Sequence, residues 1–225
     1  MKTKLKLSDD EIISQGLIFF IGGFEGTSAT IRFCLYELCV NPDIQQRLFE
    51  EVDGAFQEID PDITDDNERA QIYGRLTSNE LPYLDAVVKE SLRKYPPGVR
   101  VERRVGVDGY RLANVELSKD QVIEFSPYAV QHNPEYFPNP ELFDPERFMP
   151  ENRHKLVPYS YVPFGVGPRN CIGMRYVYQV INLLLARLVH RFRFSATKDT
   201  PIPIQFINNI QILNVKPFPI QISKR

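Results

Sequence analysis

The chain has 225 residues, 43% of them hydrophobic and 25% charged, with a formal net charge of −2. That length suffices for a sizeable core, in one large domain or two small ones, and the near-neutral balance gives no basic excess for nucleic acid. Three cysteines, Cys34, Cys39 and Cys171, stand in no paired pattern and read as reduced thiols, and neither C-x-x-C nor H-E-x-x-H occurs, which removes a disulfide scaffold and the usual zinc sites.

In chain order, Met1 to Lys6 carries basic residues without a following apolar stretch, so no signal peptide is read. Ser8, with Glu11 three residues on, is a capping arrangement that opens a long apolar helix. This helix runs past Leu38 and stops before Asn41-Pro42. No apolar run reaches the roughly 18 residues that a membrane span needs. The longest candidate, Ile12 to Phe24, is broken by Ser14, Gln15 and glycines, and reads as a buried core helix. Gly22 and Gly23 would allow close packing there, but that leaves Glu25, a charge amid Phe19, Phe20 and Phe24, without a reason.

A second helix starts at Pro42 and carries Ile44, Leu48, Val52 and Phe56 on one stripe, and Ile59 to Asn67 is an acidic, turn-rich loop. A third covers Ser78 to Tyr95, with Leu81, Leu84, Val87, Val88 and Leu92 inward, and ends at Pro96-Pro97. Glu90 and Arg93 stand at i, i+3 on it, where they can meet. Such a pair is most often solvated and worth little, but this one lies beside Val87, Val88 and Leu92. Strand-like pieces follow at Val99 to Val105, Tyr110 to Leu112 and Val122 to Phe125. Pro127 to Pro163 is a proline-rich meander containing Pro145-Glu146-Arg147-Phe148. The apolar run after Cys171 predicts a helix ending near Arg191, and the alternation from Ile202 to Ile222 suggests a terminal hairpin. Helices dominate, with a minor sheet.

The run Phe164-Gly165-Val166-Gly167-Pro168-Arg169-Asn170-Cys171-Ile172-Gly173 places one cysteine in a glycine-punctuated loop just ahead of a helix. Backbone N–H groups and the positive end of a helix dipole there suit a thiolate, which makes Cys171 a candidate soft metal ligand. For an isolated cysteine, a buried structural thiol is the ordinary alternative.

This loop resembles the haem-binding signature of the cytochrome P450 family, F-x-x-G-x-R-x-C-x-G, and matches every fixed position. The residue types suit the role. Gly167 and Gly173 let the backbone approach a flat macrocycle, Arg169 offers a fork of donors to a propionate, and Phe164 would keep water from the sulfur. The resemblance implies that Glu90 and Arg93 (E-x-x-R) form a buried ion network with Arg147 of the P-E-R-F-like segment. It also implies that Arg100, in Pro97-Gly98-Val99-Arg100-Val101-Glu102-Arg103, reaches a haem propionate; a surface arginine at a strand end is the alternative.

Gly22-Gly23-Phe24-Glu25-Gly26-Thr27 resembles the family's distal-helix motif, [A/G]-G-x-[D/E]-T-[T/S]. In that motif small residues open a groove over the iron, and an acid and a threonine guide protons to dioxygen. Gly22, Gly23, Glu25 and Thr27 match, but Gly26 occupies the threonine position. Thr27 lies about 100° further round the helix, and a water near Gly26 is the other possible substitute.

The wording around Glu90, Glu102-Arg103 and Cys171 is most similar to the clan of animal microsomal xenobiotic-metabolising enzymes. The expected architecture is therefore mainly α with minor β, a single partial P450 domain over residues 1–225 corresponding to the C-terminal half, without the N-terminal half and membrane anchor. Trp, which commonly contacts a propionate in the family, is absent from the sequence. The resemblance implies a haem-dependent monooxygenase acting on a lipophilic small molecule. Its electrons would come from NADPH through NADPH-cytochrome P450 reductase, at the cytosolic face of the endoplasmic reticulum membrane in full-length members. The alternatives are a truncated, inactive fragment and a haem-thiolate isomerase or dehydratase acting on a peroxide.

Overall fold

Ser8 starts the first helix as its spacing requires. In the computed structural model, which describes residues 6–57, 74, 80–207 and 212–225, the Ser8 hydroxyl accepts the Glu11 N–H (3.3 Å) and the Glu11 carboxylate accepts the Ser8 N–H (2.7 Å). Helix α1 (Asp9–Val40) follows and ends where Pro42 cannot continue it. Pro42 instead begins α2 (Pro42–Gln57), whose Leu48 and Val52 are fully buried, with Ile44 and Phe56 packed beside them. Helix α3 (Pro82–Lys94) lies at the centre. Leu84, Val87, Val88 and Leu92 are buried against α1, α2 and α5 (Met174–Arg191), the helix that follows the cysteine loop. The acidic loop expected at Ile59 to Asn67, the N-terminal residues Met1 to Leu5 and Ser78 lie outside the described residues, but α3 starts later than expected: Glu80 is in a turn and Leu81 is the N-cap, with Pro82 supplying the preset φ of a first helical residue.

The first half of α1 departs from the expected buried helix. Residues 6–25 are exposed on every side, with Phe20 74% and Phe24 66% accessible. The helix is buried only from Ala29 onward, after a half-buried stretch at residues 26–28. The apolar residues of Ile12 to Phe24 surround the helix rather than forming one stripe, so they name no face for the described core to cover.

The sheets are short and antiparallel. Strand β1 (Val101–Arg104) pairs with β4 (Val122–Phe125), setting Val101 opposite Phe125. Between them, β2 (Tyr110–Leu112) and β3 (Val115–Leu117) form a hairpin of two three-residue strands, of which the sequence marks only the first. The meander opens with α4 (Pro127–Gln131), capped by the Ser126 hydroxyl, and continues through 3-10 turns at Pro145–Phe148 and Pro150–Lys155.

The terminal alternation divides between two pairings. Strands β6 (Phe206–Ile207) and β7 (Asn214–Val215) pair with each other, but β8 (Ile220–Lys224) pairs with β5 (Phe192–Ala196), which leaves α5 directly. Pro217 and Pro219 interrupt the ladder, and the buried Phe194 offers β8 an apolar partner strand. The architecture is mainly α with minor β, and no helix among the described residues is long and apolar enough to cross a membrane.

Candidate haem-thiolate site

Two left-handed glycines shape the cysteine loop. Gly165 (φ +70°) and Gly167 (φ +79°) occupy backbone conformations that favour glycine, and the Gly165 N–H donates to Val162 O at 3.0 Å. The chain then turns through Gly167–Arg169, and the Cys171 N–H donates back to Phe164 O at 2.8 Å. A Cβ on Gly173 would sit 3.8 Å from Cys171 Sγ, so glycine keeps that side of the sulfur bare. Cys171 is exposed, whereas Cys34 and Cys39 are buried. Burial pushes the Cys34 thiol up to about 12 and raises that of Cys39 as well. Of the three cysteines, only Cys171 presents its thiol to a ligand.

The surroundings suit a flat apolar group with anionic edges. Ile172 (83% exposed), Tyr176 and Val166 surround the thiol in sequence and are open to solvent, and Arg169 is exposed on the turn ahead of it. The Phe164 ring is half-buried against Tyr178, centroids 5.2 Å apart. Among the described residues, no group of three or more His, Cys, Asp or Glu side chains could hold a bare ion. The exposed thiol, its apolar neighbours and the guanidinium fit haem.

Beside the loop, a cleft of about 470 Å³ is lined by Gly165 and Val166 on one side and by Val101, Arg103, Ile123 and Phe125 on the other. Arg100 pairs with Glu102 (2.7 Å) and Glu124 (3.5 Å). Residues two apart on a strand share a face, so β1 sets Arg103 with Val101 and sets Arg100 with Glu102. Arg103 and Arg104 both line the cleft, however, so the period alone does not mark which arginine faces it, and the sequence singled out neither.

On α1, Glu25 is exposed, and a Cβ added to Gly22 or Gly23 would meet nothing within 4 Å, so among the described residues no close packing accounts for these glycines. Thr27 Oγ1 is buried without a hydrogen-bond partner, whereas the hydroxyls of Ser28 and Thr30 bond to the Glu25 and Gly26 carbonyls. A buried hydroxyl left without a partner is uncommon and marks Thr27 as available to a water or ligand. A Cβ on Gly26 would touch only Pro97 Cβ, at an ordinary 3.9 Å. Gly26→Ala is accordingly expected to raise the unfolding free energy by about 1 kcal/mol, as read by urea denaturation followed by far-ultraviolet circular dichroism. A loss of stability would show that the Pro97 contact is tighter than the geometry indicates.

Beneath the loop lies a buried ionic frame. Arg93 binds Glu90 through two parallel bonds, Nε to Oε2 (2.7 Å) and Nη2 to Oε1 (2.9 Å), with both side chains wholly buried. Its remaining donors reach Gln131 O (3.0 Å) and Pro140 O (2.7 Å). Arg147 Nε stands 3.6 Å from Glu90 Oε1, and its Nη2 donates to Pro138 O and Asn139 O. The Asp144 N–H completes the set on Glu90 Oε1 (2.9 Å). Burial pushes the Glu90 carboxyl up while Arg93 draws it down, and burial prevails. The desolvation of the cluster is thus comparable with its attraction, and what the cluster supplies is the placement of the meander.

The sequence did not mark Gln131, which joins this frame to the loop. Its side chain is wholly buried; Nε2 donates to Leu92 O and Arg93 O at the end of α3, and Oε1 accepts the Val162 N–H at 2.8 Å, two residues before Phe164.

The chain belongs to the cytochrome P450 family, whose model (Cytochrome P450) matches residues 1–223. It is 40% identical over 219 residues to cytochrome P450 3A2 of Rattus norvegicus, covering 97% of this chain and 41% of that protein. It is 40% identical over 206 residues to cytochrome P450 9e2 of Blattella germanica, covering 90% and 37%. With cytochrome P450 3A30 of Fundulus heteroclitus it shares 38% identity over 217 residues, or 96% and 41%. The chain spans about two fifths of the length of these relatives.

Proposed function

We propose that this chain carries the haem-binding and oxygen-activating part of a cytochrome P450 monooxygenase. The observation that carries the reading is the single exposed cysteine, Cys171, in the complete F-x-x-G-x-R-x-C-x-G loop, set beside the buried Glu90–Arg93–Arg147 frame. Cys171 would ligate the iron, with Gly167, Gly173 and Phe164 flanking it and Gly22 and Gly23 keeping the distal helix surface open. Arg169 would hold a propionate, with Arg100 and Arg103 as the guanidinium groups of the neighbouring strand. When bound, the haem supplies dioxygen activation and insertion of one oxygen atom into a lipophilic small molecule, with electrons from NADPH through NADPH-cytochrome P450 reductase. On the distal helix, the Glu25 carboxylate takes protons from solvent and Thr27 Oγ1, which has no internal partner, passes them on. The bare Cα of Gly26 leaves room for a water between the two. The endoplasmic reticulum membrane is the setting proposed from the relatives' family.

Gly26 favours a second chemistry, isomerisation or dehydration of a peroxide, which needs no oxygen-activating threonine. Turnover separates the two. The monooxygenase reading expects a hydroxylated product that requires both reductase and NADPH. Rearrangement of a lipid hydroperoxide without NADPH, and no reductase-dependent product, would overturn it.

The exposed first half of α1 favours a further reading, an inactive fragment that cannot hold haem, since so large an apolar surface is seldom left open on a soluble monomer. Size-exclusion chromatography of the haem-titrated chain tests it. A monomer with one haem per chain excludes the fragment reading, and aggregation without haem supports it.

A further inference from the structure

We propose that Tyr178 is a positioning residue for the Cys171 loop, acting through a hydroxyl bond to the half-buried Tyr161 that fixes its ring against Phe164. The inference rests on the haem-thiolate reading only for its consequence; the clamp itself is a matter of geometry. Tyr178 lies on α5, seven residues after Cys171, and its hydroxyl is 3.1 Å from the Tyr161 hydroxyl. Its ring meets Phe164 at 5.2 Å with the planes inclined by 58°, a favourable tilted contact. Phe164 in turn accepts the Cys171 N–H through its carbonyl. The ring contact and the backbone bond thus belong to one residue, so whatever fixes the Phe164 ring also fixes the carbonyl that orients the cysteine.

Tyr161 supplies the anchor. Its ring packs 4.7 Å from Phe148, the last residue of the 3-10 turn that carries Arg147. The series Phe148–Tyr161–Tyr178–Phe164 therefore runs from the ionic frame to the cysteine loop, parallel to the route through Gln131 and Val162. Burial favours the neutral, hydrogen-bonding form of both phenols, pushing Tyr178 up to about 12 and Tyr161 well above its ordinary value. If either hydroxyl is removed, the other loses its partner in this half-buried contact.

The test is amide hydrogen exchange, resolved by residue, on the 225-residue chain with and without haem. In the wild type the Cys171 amide should be protected. Y178F, which keeps the ring and removes only the hydroxyl, should speed exchange at Cys171 about tenfold or more and leave the amides of α3 and the β5–β8 pair unchanged. Y161F should do the same, and Y161F/Y178F should exceed neither single variant. Unchanged exchange at Cys171 in Y178F overturns the proposal, as does acceleration spread evenly over α3 and β5–β8, or a Cys171 amide already unprotected in the wild type. A haem titration of C171A, run in parallel, isolates the underlying reading: thiolate ligation fails if the haem spectrum is unchanged by that substitution, whatever the exchange result.

Discussion

Arg93→Met is expected to lower the unfolding free energy by about 3–5 kcal/mol. The long apolar side chain refills much of the volume, so the loss comes chiefly from Glu90, a carboxylate stripped of both parallel bonds at a wholly buried position. Arg147, 3.6 Å from the same carboxylate oxygen, compensates only in part. The carbonyls of Gln131 and Pro140 lose their donor as well. Glu90→Gln should be comparably severe, because it leaves two guanidinium groups facing a neutral amide. The Arg100–Glu102 pair is the internal control. It has a similar distance, 2.7 Å, but both side chains are 40–49% exposed, so Arg100→Ala is expected to change stability by no more than about 1 kcal/mol. Urea denaturation followed by far-ultraviolet circular dichroism suits all three, since the chain has no Trp. Equal effects at Arg93 and Arg100 would contradict the assignment of the frame as a buried structural network.

Gln131→Leu is the second large effect, expected at about 3 kcal/mol. The replacement is close in size and buries no new charge. It nevertheless leaves the carbonyls of Leu92 and Arg93 and the N–H of Val162 in the interior without their partner. Each such loss costs about 1–3 kcal/mol alone, with less than additive sums because the loop can shift. Gln131→Glu keeps an acceptor for Val162 but sets a carboxylate against two carbonyl oxygens, and should be no better than Leu. The same denaturation measures both variants. A near-neutral Gln131→Leu would show that ordered water replaces the amide.

The sequence carried the parts of the fold that local chemistry decides. The Ser8–Glu11 cap, the stripe Leu84–Val87–Val88–Leu92 and the prolines at positions 42 and 96 each act within a few residues; α1 begins and ends accordingly and α3 faces and ends so, although α3 begins at Pro82 rather than Ser78. The cysteine loop was legible because its residue types and spacings form one dense word. What escaped depends on partners far along the chain. An isolated glutamine such as Gln131 has no pattern, and its importance arises because α3 ends where the meander begins and the loop passes close by. Tyr161 and Tyr178 are ordinary aromatics until folding sets their hydroxyls together. The alternation of Ile220–Lys224 shows a strand but not that β5 is its neighbour. Arg103 and Arg104 meet the cleft where β1 ends, and strand alternation does not mark which of two neighbouring arginines faces it. The exposed half of α1 failed for another reason: apolar residues on all sides carry no direction, and burial cannot be inferred from hydrophobicity without a partner surface.

On the proposed reading, Cys171 is the one thiol of this chain able to ligate a haem iron. The reduced, CO-bound absorption spectrum of the haem-titrated chain tests it most directly. A thiolate-type Soret band is expected in the wild type, should survive alanine substitution at Cys34 or Cys39, and should be lost in Cys171→Ala. No such band in the wild type, or one that persists in Cys171→Ala, would contradict the account.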